Sequence, residues 1–390
     1  MRIDRRSMIA GGALLAVGAA GADSEVRGQL DKAALLPAAA RLAALRAIRK
    51  NGLSRRERLD LEAALRGAIL EAQIAAAAPA ARYPLQLRLN AGWDITPTAA
   101  HARGVAEIAA LTTRADLLLQ EQGLRSGSVA ERLRSLARDE RYLYSDDDPG
   151  KDRAVADMNR WRGAATDKLK SLFRTVPLDA YSAKVVRMTP AEDASGKAGY
   201  RTLPSGDRAG AYHVDLHQIR RRPSWSLPSV VHHETVPGHL IQLPLQAIAG
   251  PHPLRLRAAP GFVEGWAIYA EQLAAESGAY ATDPLAEIGY IHWMLFRLGR
   301  LLIDTGINHL GWSRDRASAF LRGCQGDPVI FAPFEKDVER AIAEPGMFAG
   351  QALTWLGMVD LRGTRSQGAR LRAFHDRLLA DGAAPLSLLS

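Results

Sequence analysis

Val231-His232-His233-Glu234-Thr235-Val236-Pro237-Gly238-His239 is the densest cluster of potential metal ligands in the chain, with three of its ten histidines inside eight residues. A metal-dependent hydrolase needs neutral imidazoles to hold its ion, a carboxylate to take a proton from the attacking water, and an open coordination position. The common solution sets two histidines four residues apart, one turn along one helix face. Here His233 and His239 are six apart, which on an ideal helix leaves them about 120° apart around the axis. His232 and His239 share a face but stand two turns apart, roughly 10 Å, too far for one ion. The helix must therefore be interrupted. Proline has no N–H to bond back to the carbonyl of His233 and its ring clashes there, while glycine accepts dihedrals closed to other residues. A two-residue bulge at Pro237-Gly238 is expected to bring His239 to the place a regular helix gives residue i+4.

The third ligand has to come from elsewhere. Cys324 is the single cysteine, so any ion must be held by histidine and carboxylate, and no internal disulfide framework exists. Pro260-Gly261-Phe262-Val263-Glu264-Gly265-Trp266-Ala267-Ile268-Tyr269-Ala270-Glu271 opens a helix after a Pro-Gly break, with Glu264 in its first turn. The interval from His239 is long enough for one helix to finish and a second to return beside it, and Gly265 is expected to let the two backbones approach closely. A solvated glutamate at a helix start is the plain alternative, because the macrodipole favours it there; next to the His-Glu cluster, the ligand reading is preferred. Glu271, two turns on along the same face, either orients a ligand imidazole or makes a surface salt bridge. His232 is read as a packed histidine rather than a supporting partner.

Outward from this centre the periodicity is helical. Segments 30–50 and 54–78 carry apolar residues at i, i+3 and i+4, separated by Asn51-Gly52, with Pro79 and Pro84 closing the second and 83–93 irregular. Thr96-Pro97-Thr98 signals a start for a helix over 98–122, and further helices are expected at 128–139 and 151–173. Val185–Met188 and Ala211–Asp215 have strand-like composition around a stretch rich in Gly, Pro, Ser and Asp. Helices resume over 227–247, 261–277, 284–304, 313–322, 334–342 and 350–360. The expected fold is mainly α, with one small β element just before the metal-binding segment.

Composition narrows the classes of function. With 390 residues, 47% of them hydrophobic and 24% charged, the chain can bury a large core and is globular rather than disordered. Its formal charge of +9 is spread over the whole length, with no dense tract beyond Arg220-Arg221-Arg222 and no zinc-finger or RNP signature. Nucleic acid is therefore not expected as a partner. Asp4-Arg5-Arg6-Ser7-Met8-Ile9, a weakly apolar stretch from Ala10 to Ala20 and the small residues Ala20-Gly21-Ala22 look like a twin-arginine export signal. That stretch is too short and too rich in Gly and Ala for a membrane span, so no stable anchor is expected once it is removed. A basic tail is the alternative. Protein exported this way crosses the membrane folded, to the periplasm or beyond, and a fold without disulfides is compatible with assembly in the reducing cytoplasm.

His233-Glu234-Thr235-Val236-Pro237-Gly238-His239, followed by Leu240-Ile241-Gln242, resembles the His-Glu-x-x-Pro-Gly-His-x-x-Gln motif of the bacterial family known as domain of unknown function 885. Glu264-Gly265-Trp266-Ala267-Ile268-Tyr269-Ala270-Glu271 resembles that family's second motif almost letter for letter. The likeness runs from about Gly92 to Leu361. The family is grouped with zinc metallopeptidases that use two histidines and a distal glutamate, and Pro260–Glu264 also looks like the third-ligand segment of angiotensin-converting-enzyme-like peptidases. The resemblance implies a gluzincin-like helical fold with a deep cleft and one zinc ion on His233, His239 and Glu264. It also implies water attack on a peptide or related small amide substrate, with Glu234 as general base. Such peptidases hold substrate on an edge strand before the metal helix, and Ala211–Asp215 lies where that strand is expected. The chain then divides into the signal over 1–22, a helical segment over 23–90 and a catalytic part over 91–390.

Members also tend to carry an Arg-Tyr pair and a later Pro-Gly-Gln-Ala-x-x-Tyr. Here Ala341 follows Arg340, Met347-Phe348-Ala349-Gly350 parts Pro345-Gly346 from Gln351-Ala352, Trp355 stands near the expected tyrosine, and no tyrosine follows Tyr290. Related enzymes place a tyrosine or histidine where the oxyanion develops, a donor worth roughly 3 kcal/mol. The candidates are Tyr212, a late histidine, and Arg340, which is preferred for its permanent charge and forked donors. Two other readings stay open: a metal-binding fold without turnover that acts as a binding or structural protein, and a helical export-associated scaffold without metal.

Overall fold

The computed structural model describes residues 25–328, 333–365 and 367–389; the expected export signal over 1–22 lies outside these residues. In chain order the helices are α1 (Glu25–Ala34), α2 (Ala38–Ala47), α3 (Arg55–Ala76), α4 (Pro79–Ala91), α5 (Pro97–Glu121), α6 (Val129–Ala137), α7 (Asp148–Asp167), α8 (Leu169–Leu172) and α9 (Pro190–Ala194). They continue with α10 (Leu227–Glu234), α11 (His239–Ala249), α12 (Pro253–Arg257), α13 (Phe262–Glu276), α14 (Pro284–Asn308), α15 (Arg314–Gln325), α16 (Phe334–Ala343), α17 (Met347–Arg362) and α18 (Gly368–Leu379). Three short strands, β1 (Lys184–Arg187), β2 (Tyr200–Thr202) and β3 (Ala211–Val214), lie between α8 and α10. The fold is mainly α, as its periodicity predicts. Among the described residues no helix is long and apolar enough to cross a membrane.

Local chemistry sets several boundaries. Ser54 and Glu57 form a reciprocal capping box that starts α3, and Ser128 with Glu131 does the same for α6. Pro79 does not leave an irregular stretch behind it, as its sequence suggests. It occupies the first turn of α4, where a missing N–H costs nothing, and the helix runs through Pro84 to a left-handed Gly92. Pro37, likewise, divides the expected helix over 30–50 into α1 and α2.

The apolar α14 runs through the core, packed against α5, α15 and α17, and α13 lies along α17. The close contact at Gly265 is with α17 and not with the histidine helix: a Cβ there would stand 2.7 Å from Thr354 Cβ. The helices before Gly92 are tied to the rest, with Asp60 accepting from the His252 amide at 2.9 Å and pairing with Arg255 at 3.1 Å.

The sheet order is β1-β3-β2, with β3 parallel to β1 and antiparallel to β2. This corrects the expected role of Ala211–Asp215. Its strand is central, with ladder partners on both sides, so its backbone offers no free edge for a substrate. The edges belong to β1 and to β2, a three-residue strand hidden in loop-like composition.

Candidate metal centre

The interruption between the histidines is a complete break rather than a bulge. Helix α10 ends at Glu234, Thr235 to Gly238 form a connection that includes a cis Val236–Pro237 peptide, and α11 begins at His239. Thr235 still donates its amide to Val231, while the Leu240 amide returns to the Thr235 carbonyl at 2.9 Å. The chain doubles back so tightly that a Cβ on Gly238 would fall 2.0 Å from the His233 carbonyl oxygen, so no other residue fits this position. From α13, the indole N–H of Trp266 donates to the carbonyls of Pro237 and Gly238, at 3.1 and 3.3 Å.

The result brings together the three residues expected as ligands. One ligand atom each from His233, His239 and Glu264 lie within 4.8 Å of one another. Glu264 reaches His233 Nε2 at 3.5 Å and His239 Nε2 at 3.6 Å, and the two imidazoles stand nearly perpendicular with centroids 4.9 Å apart. His239 is fully buried, and neither ring nitrogen has a hydrogen-bond partner among the described residues. Buried polar atoms are almost always satisfied, so an unpaired imidazole beside a carboxylate calls for a cation. The donor set fits zinc. Glu264 keeps 33% of its side chain exposed, which leaves the cluster an open side.

Glu271 supports this arrangement and is no surface residue. It is buried, and its Oε1 lies 2.8 Å from His233 Nδ1. A carboxylate cannot donate, so Nδ1 carries a proton, and in the neutral ring the Nε2 lone pair faces the side of Glu264. Ser229 donates to the other Glu271 oxygen at 2.6 Å, and Arg297 Nη2 lies 3.6 Å from Oε1. Arg297 was not apparent as a site residue in the sequence. Its signal is a charge within the apolar run of α14.

Glu234 forms an ion pair with Arg201 on β2. Burial alone would push the Glu234 carboxyl up; Arg201, His233 and His239 outweigh it and hold the group below the usual carboxylate range. Burial also opposes ionisation of Glu264, but the close approach of both imidazoles keeps it well below that range. For His233, burial and Arg297 work downward, yet Glu264 and Glu271 raise it to about 9. Burial and Arg201 hold His239 down, in its neutral form, despite Glu264. Arg201 carries no sequence signal: it lies between Tyr200 and Thr202 in a loop-like stretch that also holds Lys197, Asp207 and Arg208.

The remaining candidates divide. Tyr212 is buried on β3 opposite Arg201 in the ladder, and burial together with the Glu234 charge raises its hydroxyl pKa; no hydrogen bond joins it to the cluster among the described residues. Arg340 is not brought to the site. Its side chain is 53% exposed, its Nε pairs with Glu344 at 3.3 Å, and its guanidinium lies over the Phe348 ring. The physical reason is helix phase: Phe334, Val338 and Ala341 turn the buried face of α16 inward, which leaves Arg340 outside. Trp355 is occupied by its hydrogen bond to Gln272 at 2.6 Å. His232 is a packed histidine, edge-on to Tyr280, with burial pushing its pKa down to about 4. One turn from His233 along the same face of α10, Val230 borders a cavity of about 340 Å³ lined also by Ser226, Arg222, His292 and Gln325.

No curated protein matches the chain. Two solved structures share its fold. A "putative lipoprotein" from Colwellia psychrerythraea superposes with a TM-score of 0.70 at 25% identity, over 93% of this chain and 68% of that one. A "putative lipoprotein of unknown function" from Shewanella oneidensis gives 0.64 at 16% identity, over 93% and 72%. The sequence profile of one family spans residues 7–390, wider than the motifs alone suggest, and the chain belongs to that family, described as bacterial protein of unknown function (DUF885).

Proposed function

We propose that the protein is an exported, gluzincin-like zinc hydrolase of peptide or related small amide bonds. The observation that carries this reading is the convergence of His233, His239 and Glu264, with Glu271 fixing the proton of His233 on the nitrogen away from Glu264. Export is supported by Arg5-Arg6 with its apolar stretch and by the lipoprotein descriptions of the two structural neighbours.

His233, His239 and Glu264 would hold the ion. Zinc, when bound, supplies a Lewis acid that polarises a carbonyl and lowers the pKa of water. Glu234, next in sequence to His233 and on the same helix, takes the proton of the attacking water and passes it to the leaving amine. Glu271 and Ser229 keep the His233 ring from rotating, and Arg297 balances the buried Glu271 charge. Arg201 stands in the position to meet negative charge developing beside Glu234, a role the sequence suggested for Arg340.

A second reading, a metal-binding protein without turnover, draws on the same ion pair, because a guanidinium held against Glu234 weakens it as a base. One experiment decides between them. Purified protein should contain one zinc and hydrolyse short peptide amides, and Glu234→Gln should keep the zinc while losing about a hundredfold or more in turnover. Hydrolysis that survives in the zinc-loaded variant removes Glu234 as the base. Zinc without hydrolysis in the wild type leaves the binding-protein reading.

A further inference from the structure

Arginines surround the cluster, but their donors are not equally committed. Arg297 is half-buried and lies against Glu271. Arg222 is buried and lies 3.8 Å from Asp215. Arg340 is largely exposed and pairs with Glu344. The Nε atoms of Arg297 and Arg222 also lack hydrogen-bond partners among the described residues, but they are closed to water; Arg201 differs in being anchored to Glu234 while partly exposed. Its Nη1 donates to Glu234, whereas its Nε and Nη2 have no protein partner among the described residues, and 21% of its side chain is exposed. It is carried by β2, a short edge strand, opposite the buried Tyr212. One arm of a forked donor is thus anchored to the candidate base, and the adjoining Nε–Nη2 edge has no protein partner among the described residues.

The charge count points the same way. Glu234, Glu264 and Glu271 bring three carboxylates, and Arg201 and Arg297 bring two guanidiniums. With a divalent ion in place, one positive charge is left over. A site of that sign, with the edge of a guanidinium free, selects an anion whose two oxygens match the two N–H groups, which is the geometry of a carboxylate.

We infer that Arg201 is a specificity-determining residue that takes a carboxylate of the substrate on its Nε–Nη2 edge, so that the site prefers short peptides bearing a carboxylate next to the scissile amide. The inference rests on reading the cluster as the place where substrate binds. The carboxylate comes either from a free C-terminus or from an acidic side chain.

The test is binding to the zinc-loaded protein, read by calorimetry or NMR titration with three probes: N-acetylalanine, its amide, and the α-amide of N-acetylglutamate. A free C-terminus as the source predicts that N-acetylalanine binds about tenfold tighter than its amide, whereas a side-chain source gives that advantage to the glutamate probe; a charge-assisted hydrogen bond is of this size. Arg201→Met, checked for intact fold and zinc content, should abolish the preference. Arg201→Lys keeps the charge without the second edge, should lose most of the preference, and serves if the methionine variant fails to fold. The inference is overturned by equal affinities in the wild type, by no binding of any probe, or by a preference that persists in the variants, which would place the carboxylate on zinc alone. Turnover without an acid preference removes only the Arg201 assignment. An Arg201-dependent preference without turnover removes only the hydrolase reading.

Discussion

Glu271 and His233 meet at 2.8 Å in a part of the protein closed to water, although the two lie 38 residues apart. Helix α13 therefore contributes twice to one centre, with Glu264 at the ion's expected place and Glu271 two turns on, behind the imidazole.

The first prediction concerns that contact. Glu271→Ala frees the His233 ring to rotate or change tautomer and leaves Arg297 without its carboxylate. Loss of such a supporting carboxylate typically costs 10- to 100-fold in metal affinity. Competition with a chromogenic chelator measures it, and unchanged zinc affinity would show that Glu271 does not orient the ligand.

Removing a ligand should cost more than removing its support. Glu264→Ala is expected to lose zinc during dialysis under conditions in which the Glu271 variant still retains part of it. Stoichiometric, tightly held zinc in the Glu264 variant would place the third ligand elsewhere.

Zinc binding should also depend on pH with a definite sign. In the metal-free chain the His233 proton is stabilised, with the pKa raised from 6.5 to about 9. That stabilisation is complete below about 6.5 and is lost as pH rises through about 9. Zinc must expel the second proton of the cationic ring, on Nε2, while Nδ1 keeps its own against Glu271, so apparent affinity should rise by about tenfold per pH unit across that interval and then level. An affinity flat between pH 6.5 and 8.5 would contradict the assigned proton.

Asp304 on α14 is buried and accepts from the amides of Gly346 and Ala349, at 2.9 and 3.0 Å, at the start of α17. Burial lifts its carboxyl to about 6 against the pull of those amides. Asp304→Ala leaves both donors unsatisfied, and thermal or denaturant unfolding should show a loss of about 1–3 kcal/mol. Asp304→Asn retains an acceptor and should lose less.

The legibility of this site in its sequence followed the type of signal each residue carries. His233, His239 and Glu264 could be read as candidate ligands because side chains of distinctive chemistry recur at a spacing only an interrupted helix explains. The form of the interruption could not, since Pro237-Gly238 requires a break without specifying whether the helix resumes. Glu271 was half legible: its helical phase placed it behind Glu264, but burial, which separates a support from a surface ion pair, is a tertiary property. Arg201 was invisible because its strand is three residues long and takes its place only by pairing with β3. That pairing also makes β3 central, against expectation. Arg340 shows the opposite error. Its chemistry suited the role, and the phase of α16, already present in Phe334, Val338 and Ala341, argued against it.

Trp266 lies two residues after Glu264, and its indole holds the carbonyls of Pro237 and Gly238, the residues that deliver His239. The helix that carries one candidate ligand thus fastens the loop that aims another, and through Glu271 it fixes the ring of the third. A displacement of α13 would carry the whole constellation with it rather than spread it apart. For a designer, the smallest transplantable unit is consequently not a nine-residue motif but that motif together with one face of α13. A graft of 231–239 alone would carry two imidazoles with nothing to set the distance between them.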